Sequence, residues 1–381
     1  MAKTIFITGA TGYVGCHLAH RFLADGHTVL ALVRPKKGNS VQARIETAVT
    51  QVGPLPPETL ANLIPIPGTV EDSAESLASS IRAQFSGPID ELWHSAAIFN
   101  FKERERPLVE ATNIEGTRHQ LDLACQINAA NTPPRFFYIS TAYCLGSQFN
   151  DPVPERIPGN ITGFRSIYEW SKYSAERLVD QYQQDGRLEA TIFRPSIVIG
   201  TPETAVLCNS GYYQVLTECR RLRTVLERSQ GSQFNGNVQT RLLGNPHTPL
   251  NLVPIDFVVD GMVYLAHCTQ LDAQQTNLFN IVNEQPPTIQ EVHQALVRSL
   301  NMSGLKLVQS EQFEVESMNP IEKKINRRIA FQAPYMHEQI HFATDRFRQY
   351  VPQSILPSPN VDLAYIDQVN AIFLSQFDED S

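Results

Sequence analysis

The chain has 381 residues, is 42% hydrophobic and carries a formal net charge of -8. Its length exceeds the usual single core and predicts two domains or one enlarged α/β domain, while the acidic balance argues against a nucleic-acid partner. With no run of about eighteen apolar residues and no charged-then-apolar leader, a soluble cytoplasmic protein without membrane insertion is expected.

Residues 4–7 are apolar or β-branched and run into Gly9, Gly12 and Gly15, around which Val14, Leu18 and Phe22 keep a 3.6-residue spacing. The pattern predicts strand, glycine turn and helix. A second apolar run at 29–33 follows Asp25 and Gly26, so the unit reads as βαβ with parallel strands. A turn this tight needs positive φ, a pyrophosphate needs bare backbone, and a helix N-terminus offers unpaired N–H groups. Thr8, Gly9, Thr11, Gly12, Tyr13, Val14 and Gly15 are therefore expected at a dinucleotide site. The second strand ends in Arg34, Lys36 and Lys37, where an NAD-binding unit usually has an acidic residue for the ribose 2′-hydroxyl. Cations there suit a 2′-phosphate. NADP (NADPH) is the expected cofactor, with Arg34 and Lys36 as its contacts; the alternative for the lysines is an ordinary solvated loop.

Strand and helix keep alternating. Residues 63–66 form a candidate third strand that ends near Gly68 and Thr69. Residues 91–94 run into Ser95, Ala96 and Ala97, small side chains that let a cofactor lie against backbone at a strand's carboxyl end. A helix follows with Asn113 and the apolar spacing Leu121, Ala124, Cys125. Residues 135–139 read as a central strand ending in the hydroxyls of Ser140 and Thr141, which by themselves most often satisfy local backbone. Beyond it Tyr168 and Lys172 stand four apart in a helical pattern and so share one face. An ammonium beside a phenol favours phenolate and lowers a reference pKa of about 10 toward the range useful for acid catalysis. The strand at 189–193 leads to Arg194, after which Pro195, Ser196 and Ile197 are expected to line a nicotinamide ring.

Six cysteines, at 16, 125, 144, 208, 219 and 268, form no C-x-x-C pair, so reduced structural thiols and no metal are expected. Arg220, Arg221 and Arg223 give a basic helical run, read either as a solvated face or as a wall attracting the phosphates of coenzyme A or a phosphopantetheine arm. Asp256 is placed at a helix start, 278–282 as the last parallel strand, and Thr288 with Glu291 as a capping box. Residues 301–381 are expected to mix short helices with Pro-rich turns, and the stripe Leu363, Ile366, Val369 and Phe373 closes the chain. Residues 1–200 with about 251–285 are thus expected as a Rossmann-like, doubly wound parallel α/β domain, and 201–250 with 286–381 as a smaller, mostly helical substrate-binding lid.

The spacing G-x-x-G-x-x-G after Thr8 resembles the TGxxGxxG loop of the extended short-chain dehydrogenase/reductase superfamily. More narrowly, the segments 140–143, 193–200 and 252–260 resemble the thioester reductase and fatty acyl-CoA reductase branch, with a likeness over about residues 3–290. The resemblance implies that Thr141 rather than Ser140 supplies the catalytic hydroxyl, and that Tyr168 and Lys172 complete the set. It also implies that Asn113 holds the geometry of the active-site helix. Thr69, Val70 or Glu71 would replace the aspartate that relatives place against adenine. The implied activity is NADPH-dependent reduction of an acyl thioester, on coenzyme A or an acyl carrier protein, to aldehyde or alcohol. A ketone or β-keto reductase, a nucleotide-sugar epimerase and a non-enzymatic NADP-binding sensor are the alternatives. Dehydration is disfavoured, because Ala142 and Tyr143 stand where such dehydratases carry Asp-Glu. No adenylation or carrier domain is recognisable, so the acyl group is expected to arrive on a separate protein or as a free thioester.

Overall fold

The computed structural model describes residues 2–127, 133–147, 152–202, 211–309, 315–330 and 333–377. Chain order begins β1 (Thr4–Thr8), α1 (Tyr13–Ala24), β2 (Thr28–Val33), α2 (Val41–Thr50), α3 (Pro57–Leu60), β3 (Leu63–Pro67), α4 (Ala74–Gln84) and β4 (Glu91–His94). It continues with α5 (Arg106–Val109), α6 (Gly116–Ile127), β5 (Arg135–Ile139), α7 (Ile167–Gln184) and β6 (Glu189–Pro195). Then come β7 (Ile197–Ile199), α8 (Tyr212–Gln230), β8 (Thr240–Leu243), β9 (Leu252–Pro254), α9 (Ile255–His267) and β10 (Asn277–Ile281). The last are α10 (Ile289–Ser299), β11 (Leu305–Val308), α11 (Pro320–Ile329), α12 (Ala333–His337), α13 (Asp345–Tyr350) and α14 (Leu363–Ser375). Two compact units divide them: residues 1–195, 259–281 and 343–352 form the first, and 196–258, 282–342 and 353–381 the second.

The first unit is a Rossmann-like α/β fold around a seven-stranded sheet ordered β10-β6-β5-β4-β1-β2-β3. Every neighbouring pair is parallel. Such strands are covered on both faces, which is why β1, β2, β5 and β6 are almost wholly buried. On one face, the rings of Trp93 and Phe137 stack at 4.3 Å between centroids, and Phe137 and Phe193 lie parallel at 6.1 Å. These rings pin β4, β5 and β6 in register. The order of chain crossing reverses between β1 and β4, and that switch point leaves a crevice at the carboxyl ends of the strands.

At the far edge, the Glu155 carboxylate accepts the backbone N–H groups of Asn280 on β10 and of Arg346 and Phe347 in the first turn of α13. Residues 343–352, expected in the substrate region, are thereby held to the first unit. The N–H groups of Arg346 and Phe347 are ones that a helix start leaves without partners.

In the second unit β7 pairs with β9 and β8 with β11, each in parallel. Sequence reading assigned no strands at 240–243 or 305–308; each is four residues long and gains its partner from far along the chain. The β7–β9 pairing and the bond from Ile197 N–H to Asn251 O draw 196–199 and 251–254 into this unit, moving the boundary from the expected 200 and 251. α10 starts on the expected capping box, Thr288 accepting from Glu291 N–H while Glu291 accepts from Thr288 N–H. α14 buries Ile366, Val369 and Phe373, and the Tyr213 ring packs at 4.7 Å from Phe373. Arg241 grips Glu322 through two guanidinium nitrogens at 2.7 Å each and ties β8 to the first turn of α11.

Among the described residues no helix is long and apolar enough to cross a membrane. Cys208 lies outside the described residues; Cys16, Cys144 and Cys219 are buried free thiols.

Candidate active site

The glycine turn works through what it leaves out. Gly9 has φ +72°, and a Cβ there would stand 2.6 Å from Ala96 N, so neither the backbone angle nor the space admits a side chain. A Cβ on Gly15 would strike the Gly9 carbonyl, which lets α1 begin against the end of β1. Gly12 donates its N–H to Gly9 O at 2.8 Å and caps α1 with no side-chain oxygen, leaving the helix start suited to an anion.

Gly9, Thr11 and Gly12 form one wall of a cleft of about 300 Å³. Ser95, Ala96 and Ala97 after β4 form another, and Thr69 and Val70 after β3 a third. Arg34 stands at its rim with a side chain 61% exposed and an ion pair of 3.8 Å to Glu71. The sequence reading therefore placed nine of the lining residues. It missed Leu32, Arg44, Gly68, Ile98 and Thr112. Arg44 lies on α2 and donates a guanidinium hydrogen to the Arg34 carbonyl, so two cations meet at this end. Lys36 is not among the lining residues; it is exposed on the turn after β2, where Asn39 N–H donates to its carbonyl. Tyr13 and Val14 sit in the first turn of α1, outside the cleft lining. The Thr69 N–H is held at 2.8 Å by Asp72, which shapes that loop in place of an adenine-facing aspartate at 69.

Thr8 does not line the cleft but starts a buried relay behind it. Its Oγ1 accepts from Ala96 N–H at 3.3 Å, and its hydroxyl donates to His94 Nδ1 at 2.7 Å. His94 Nε2 then donates to Thr117 Oγ1 at 3.0 Å, and the Thr117 hydroxyl donates to Asn113 O at 2.7 Å. The hydrogen bonds on either side fix the neutral Nε2–H tautomer. Burial, helped by the nearby Lys172 charge, lowers the His94 pKa to about 3.

The relay ends in a π-helical turn at Glu110–Glu115, a form that sequence spacing did not predict. Its Asn113 is buried and fully engaged. Asn113 Oδ1 accepts from Ile98 N–H at 2.7 Å, and its Nδ2 donates to Ile98 O at 3.1 Å and to Ser171 Oγ at 3.0 Å. Ser171 in turn donates to the Tyr168 carbonyl at 2.8 Å. One amide thus joins the loop after β4, the π turn and α7.

Helix α7 starts at a Ser166 cap and carries Tyr168 and Lys172 one turn apart. The buried Lys172 donates to Ile139 O at 2.8 Å, at the end of β5, with its ammonium 4.8 Å from the centre of the Tyr138 ring. Burial lowers its pKa to about 8, against the opposing pull of Glu176. The Tyr168 phenol moves the other way from the sequence expectation. Burial raises its pKa, with Cys144 and Glu169 adding to the rise, while the ammonium is directed to a carbonyl. Sharing a helical face did not by itself aim the lysine at the phenol. The half-buried Tyr168 ring meets Phe99 edge-on at 4.8 Å and Phe101 at 5.8 Å; the exposed Phe99 was not foreseen.

Thr141 lies just past β5, buried, its Oγ1 accepting from Tyr143 N–H at 3.3 Å and so keeping a hydrogen to donate. Pro195 closes β6, its carbonyl taking the Ala142 N–H at 2.9 Å. Ser196 and Ile197 belong to the second unit, where the Ser196 hydroxyl donates to Asn251 Oδ1 at 2.6 Å. The basic run on α8 is largely matched by its own helix: Arg221 pairs with Glu218 at 2.5 Å and Arg223 with Glu227 at 2.7 Å, while Arg220 lies over the Phe377 ring. That favours the solvated-face reading. No group of three or more His, Cys, Asp or Glu able to hold a metal occurs among the described residues.

Comparison with known proteins adds a family. Residues 7–262 match the model of the family described as male sterility protein. Fatty acyl-CoA reductase 1 of Gallus gallus is 27% identical over 228 residues, which cover 51% of this chain and 43% of that protein. Across the curated relatives compared, the chain spans between 13% and 56% of their lengths. In fold it is similar to the terminal R domain of the myxalamid PKS-NRPS pathway, with a TM-score of 0.76, 21% identity and coverage of 100% of this chain and 91% of that one. It is also similar to a thiolation-reductase di-domain of an archaeal non-ribosomal peptide synthetase, with a TM-score of 0.73, 18% identity and coverage of 100% and 92%.

Proposed function

Since this chain belongs to the male sterility protein family, we propose that it is an NADPH-dependent reductase of the extended short-chain dehydrogenase/reductase type, acting on an acyl thioester of coenzyme A or an acyl carrier protein. The observation that carries the reading is the lock of Asn113 onto Ile98 and Ser171, which sets the Tyr168 and Lys172 helix beside the glycine-walled cleft. Relatives named as fatty acyl-CoA reductases, and a structural neighbour that joins a thiolation domain to a reductase, support the choice of thioester.

NADP fits the residues present. The bare backbone of Gly9 and Gly12 suits a pyrophosphate, and Arg34 with Arg44 suits a 2′-phosphate at the opposite end. When bound, NADPH supplies the hydride. The protein's own part is to bind the substrate carbonyl oxygen and protonate it. Thr141 donates a hydrogen bond to that oxygen, and Tyr168, kept protonated by its buried setting, transfers its phenolic proton there. Hydride at carbon and proton at oxygen give a hemithioacetal, whose C–S bond breaks to leave aldehyde and free thiol. Lys172, one turn along the helix, donates to the Ile139 carbonyl and joins α7 to the end of β5, beside which Thr141 stands.

The test follows NADPH oxidation with acyl-CoA and acyl-carrier thioesters beside ketones, with products identified by mass and thiol by titration. Aldehyde or alcohol with one thiol released per acyl group is the expected result. Turnover of ketones alone, with the thioester intact, would overturn the thioester reading in favour of a β-keto reductase.

A further inference from the structure

Behind the candidate catalytic helix lies a pair of charges to which no role has been given so far. Glu176 follows Lys172 by one turn of α7, and Arg194 stands near the end of β6; both side chains are fully buried. The guanidinium takes the carboxylate in a two-pronged grip, with Arg194 Nε to Glu176 Oε1 at 2.8 Å and Nη2 to Oε2 at 2.5 Å. Arg194 Nη1 also donates to Pro154 O at 3.0 Å and Arg156 O at 3.4 Å. The buried Cys144 thiol, in the turn after β5, donates to Glu176 Oε1 at 3.3 Å. Every one of these groups lies in the first unit.

A buried pair of this kind is a poor device for stability, because desolvating two ions offsets much of their attraction and apolar replacements of the same shape often fold as well or better. Its position offers a better reason. Lys172 reaches into the interior between α7 and the end of β5, where an ammonium loses its water. The groups that face it are the neutral His94 from β4, the Tyr138 ring from β5, the Cys144 thiol, and Tyr168 and Glu176 from its own helix. Of these, Glu176 is the carboxylate, one turn along the same helix, and the two-pronged grip of Arg194 holds it there.

We propose that Glu176 and Arg194 are positioning residues of the reductase site: the pair fixes α7 to β6 and lets Lys172 keep its positive charge inside the protein. The inference rests on the function proposed above for Tyr168 and Lys172, but its central claim concerns the lysine and is measurable without turnover. Removing Glu176 withdraws an interaction that favours charged lysine, so the lysine should lose its proton at lower pH.

Glu176→Gln alone leaves a buried guanidinium without its carboxylate and is expected to fold poorly. The double variant Glu176→Gln with Arg194→Gln removes both charges together, and Cys144→Ser serves as a packing control. In protein carrying ¹³C-labelled lysine, the Cε resonance of Lys172, assigned by its loss in Lys172→Arg, is followed against pH in wild type and double variant. The expected result is a lower midpoint in the double variant: losing the Arg194 cation opposes losing the Glu176 carboxylate, but Glu176 is the charge one turn from the lysine on its own helix. The alkaline limb of kcat should move down by a similar interval, with kcat at acid pH affected much less. An unchanged lysine midpoint in a folded double variant overturns the proposal, whatever happens to the rate. A shifted midpoint in a protein that reduces no carbonyl compound leaves the proposal standing and rejects the function it was built on.

Discussion

Replacing Glu71 with glutamine should make the protein bind NADPH more tightly, and the reason lies in how Arg34 is shared. Its guanidinium sits 3.8 Å from the Glu71 carboxylate on an exposed rim, so a 2′-phosphate must compete with Glu71 for it. Two unit charges about 4 Å apart attract by about 1 kcal/mol in water, and exposed pairs net about 0–1 kcal/mol after the entropy of holding two side chains. Glu71→Gln should therefore tighten NADPH by up to roughly fivefold. Glutamine keeps an oxygen for the Thr112 hydroxyl that Glu71 now accepts at 2.6 Å, so the loop should stay in place. Arg34→Ala should act the opposite way, weakening NADPH by about tenfold, or about 1.4 kcal/mol, and leaving NADH almost unchanged. Titrations of both nucleotides at low and high salt provide the assay, since salt should narrow the difference between variants. Equal affinity of the wild type for NADPH and NADH would refute the reasoning, as would an Arg34→Ala variant that loses both alike.

Tyr168→Phe and Lys172→Ala should each lower kcat by about a hundredfold or more in a protein that remains folded by circular dichroism, the size usual for general acid-base groups. Thr141→Ala should cost less than Thr141→Val, because water can replace a lost hydroxyl only where room is left; steady-state rates of the two variants decide it. Phe99→Ala, which removes a ring 41% exposed and edge-on to Tyr168, should raise KM for long acyl substrates more than for acetyl ones; equal effects along the series would separate the ring from the substrate. His94 stays neutral in the fold down to about pH 3, whereas an unfolded histidine takes up its proton near 6.5. The unfolded state then binds the extra proton, and stability should fall by about 2 kcal/mol between neutral pH and pH 5 on account of this one group. Urea midpoints for wild type and His94→Gln at the two pH values test it, the variant showing the shallower loss.

What was legible in the sequence was what depends on neighbours in the chain. Gly9, Gly12 and Gly15 announce a tight strand-to-helix turn with bare backbone, because absence of a side chain is visible in any sequence. The small residues at 95–97 follow the same logic, and they line the cleft. The spacing of Tyr168 and Lys172 gives a shared face for a similar reason, helix geometry being local. It could not give the direction of a flexible ammonium, which goes to the Ile139 carbonyl on a strand 33 residues away. Arg44 reaches the cleft only because α2 packs beside the end of β2, and nothing in its own segment marks it out from Lys36, which was chosen and is absent from the lining. The relay from Thr8 through His94 to Asn113 is likewise built across two strands and a π turn, so a histidine at the end of an apolar run reads as nothing more than a core residue.

The Glu176–Arg194 pair shows the same limit in its sharpest form. Each residue sits in a segment the sequence reading identified, one on the helix of Tyr168 and one on the strand before Pro195, yet the pairing depends on how far along each other those two elements lie. A slip of one residue in β6 would turn Arg194 to the other face of the sheet. It would also leave a carboxylate buried without its cation, at a cost of several kcal/mol. The register that prevents this is carried by β5 on one side and β10 on the other, where Ile192 stands opposite Tyr138 and Asn280 opposite Arg194. The charge on Lys172 therefore depends, through this pair, on strand contacts made outside its own helix. Substitutions that loosen β10, such as Asn280→Ala, which would break the side-chain bonds to the carbonyls of Val153 and Ala343, should consequently lower activity above neutral pH before they lower stability measurably. A parallel fall of rate at every pH would point instead to a general loosening of the fold.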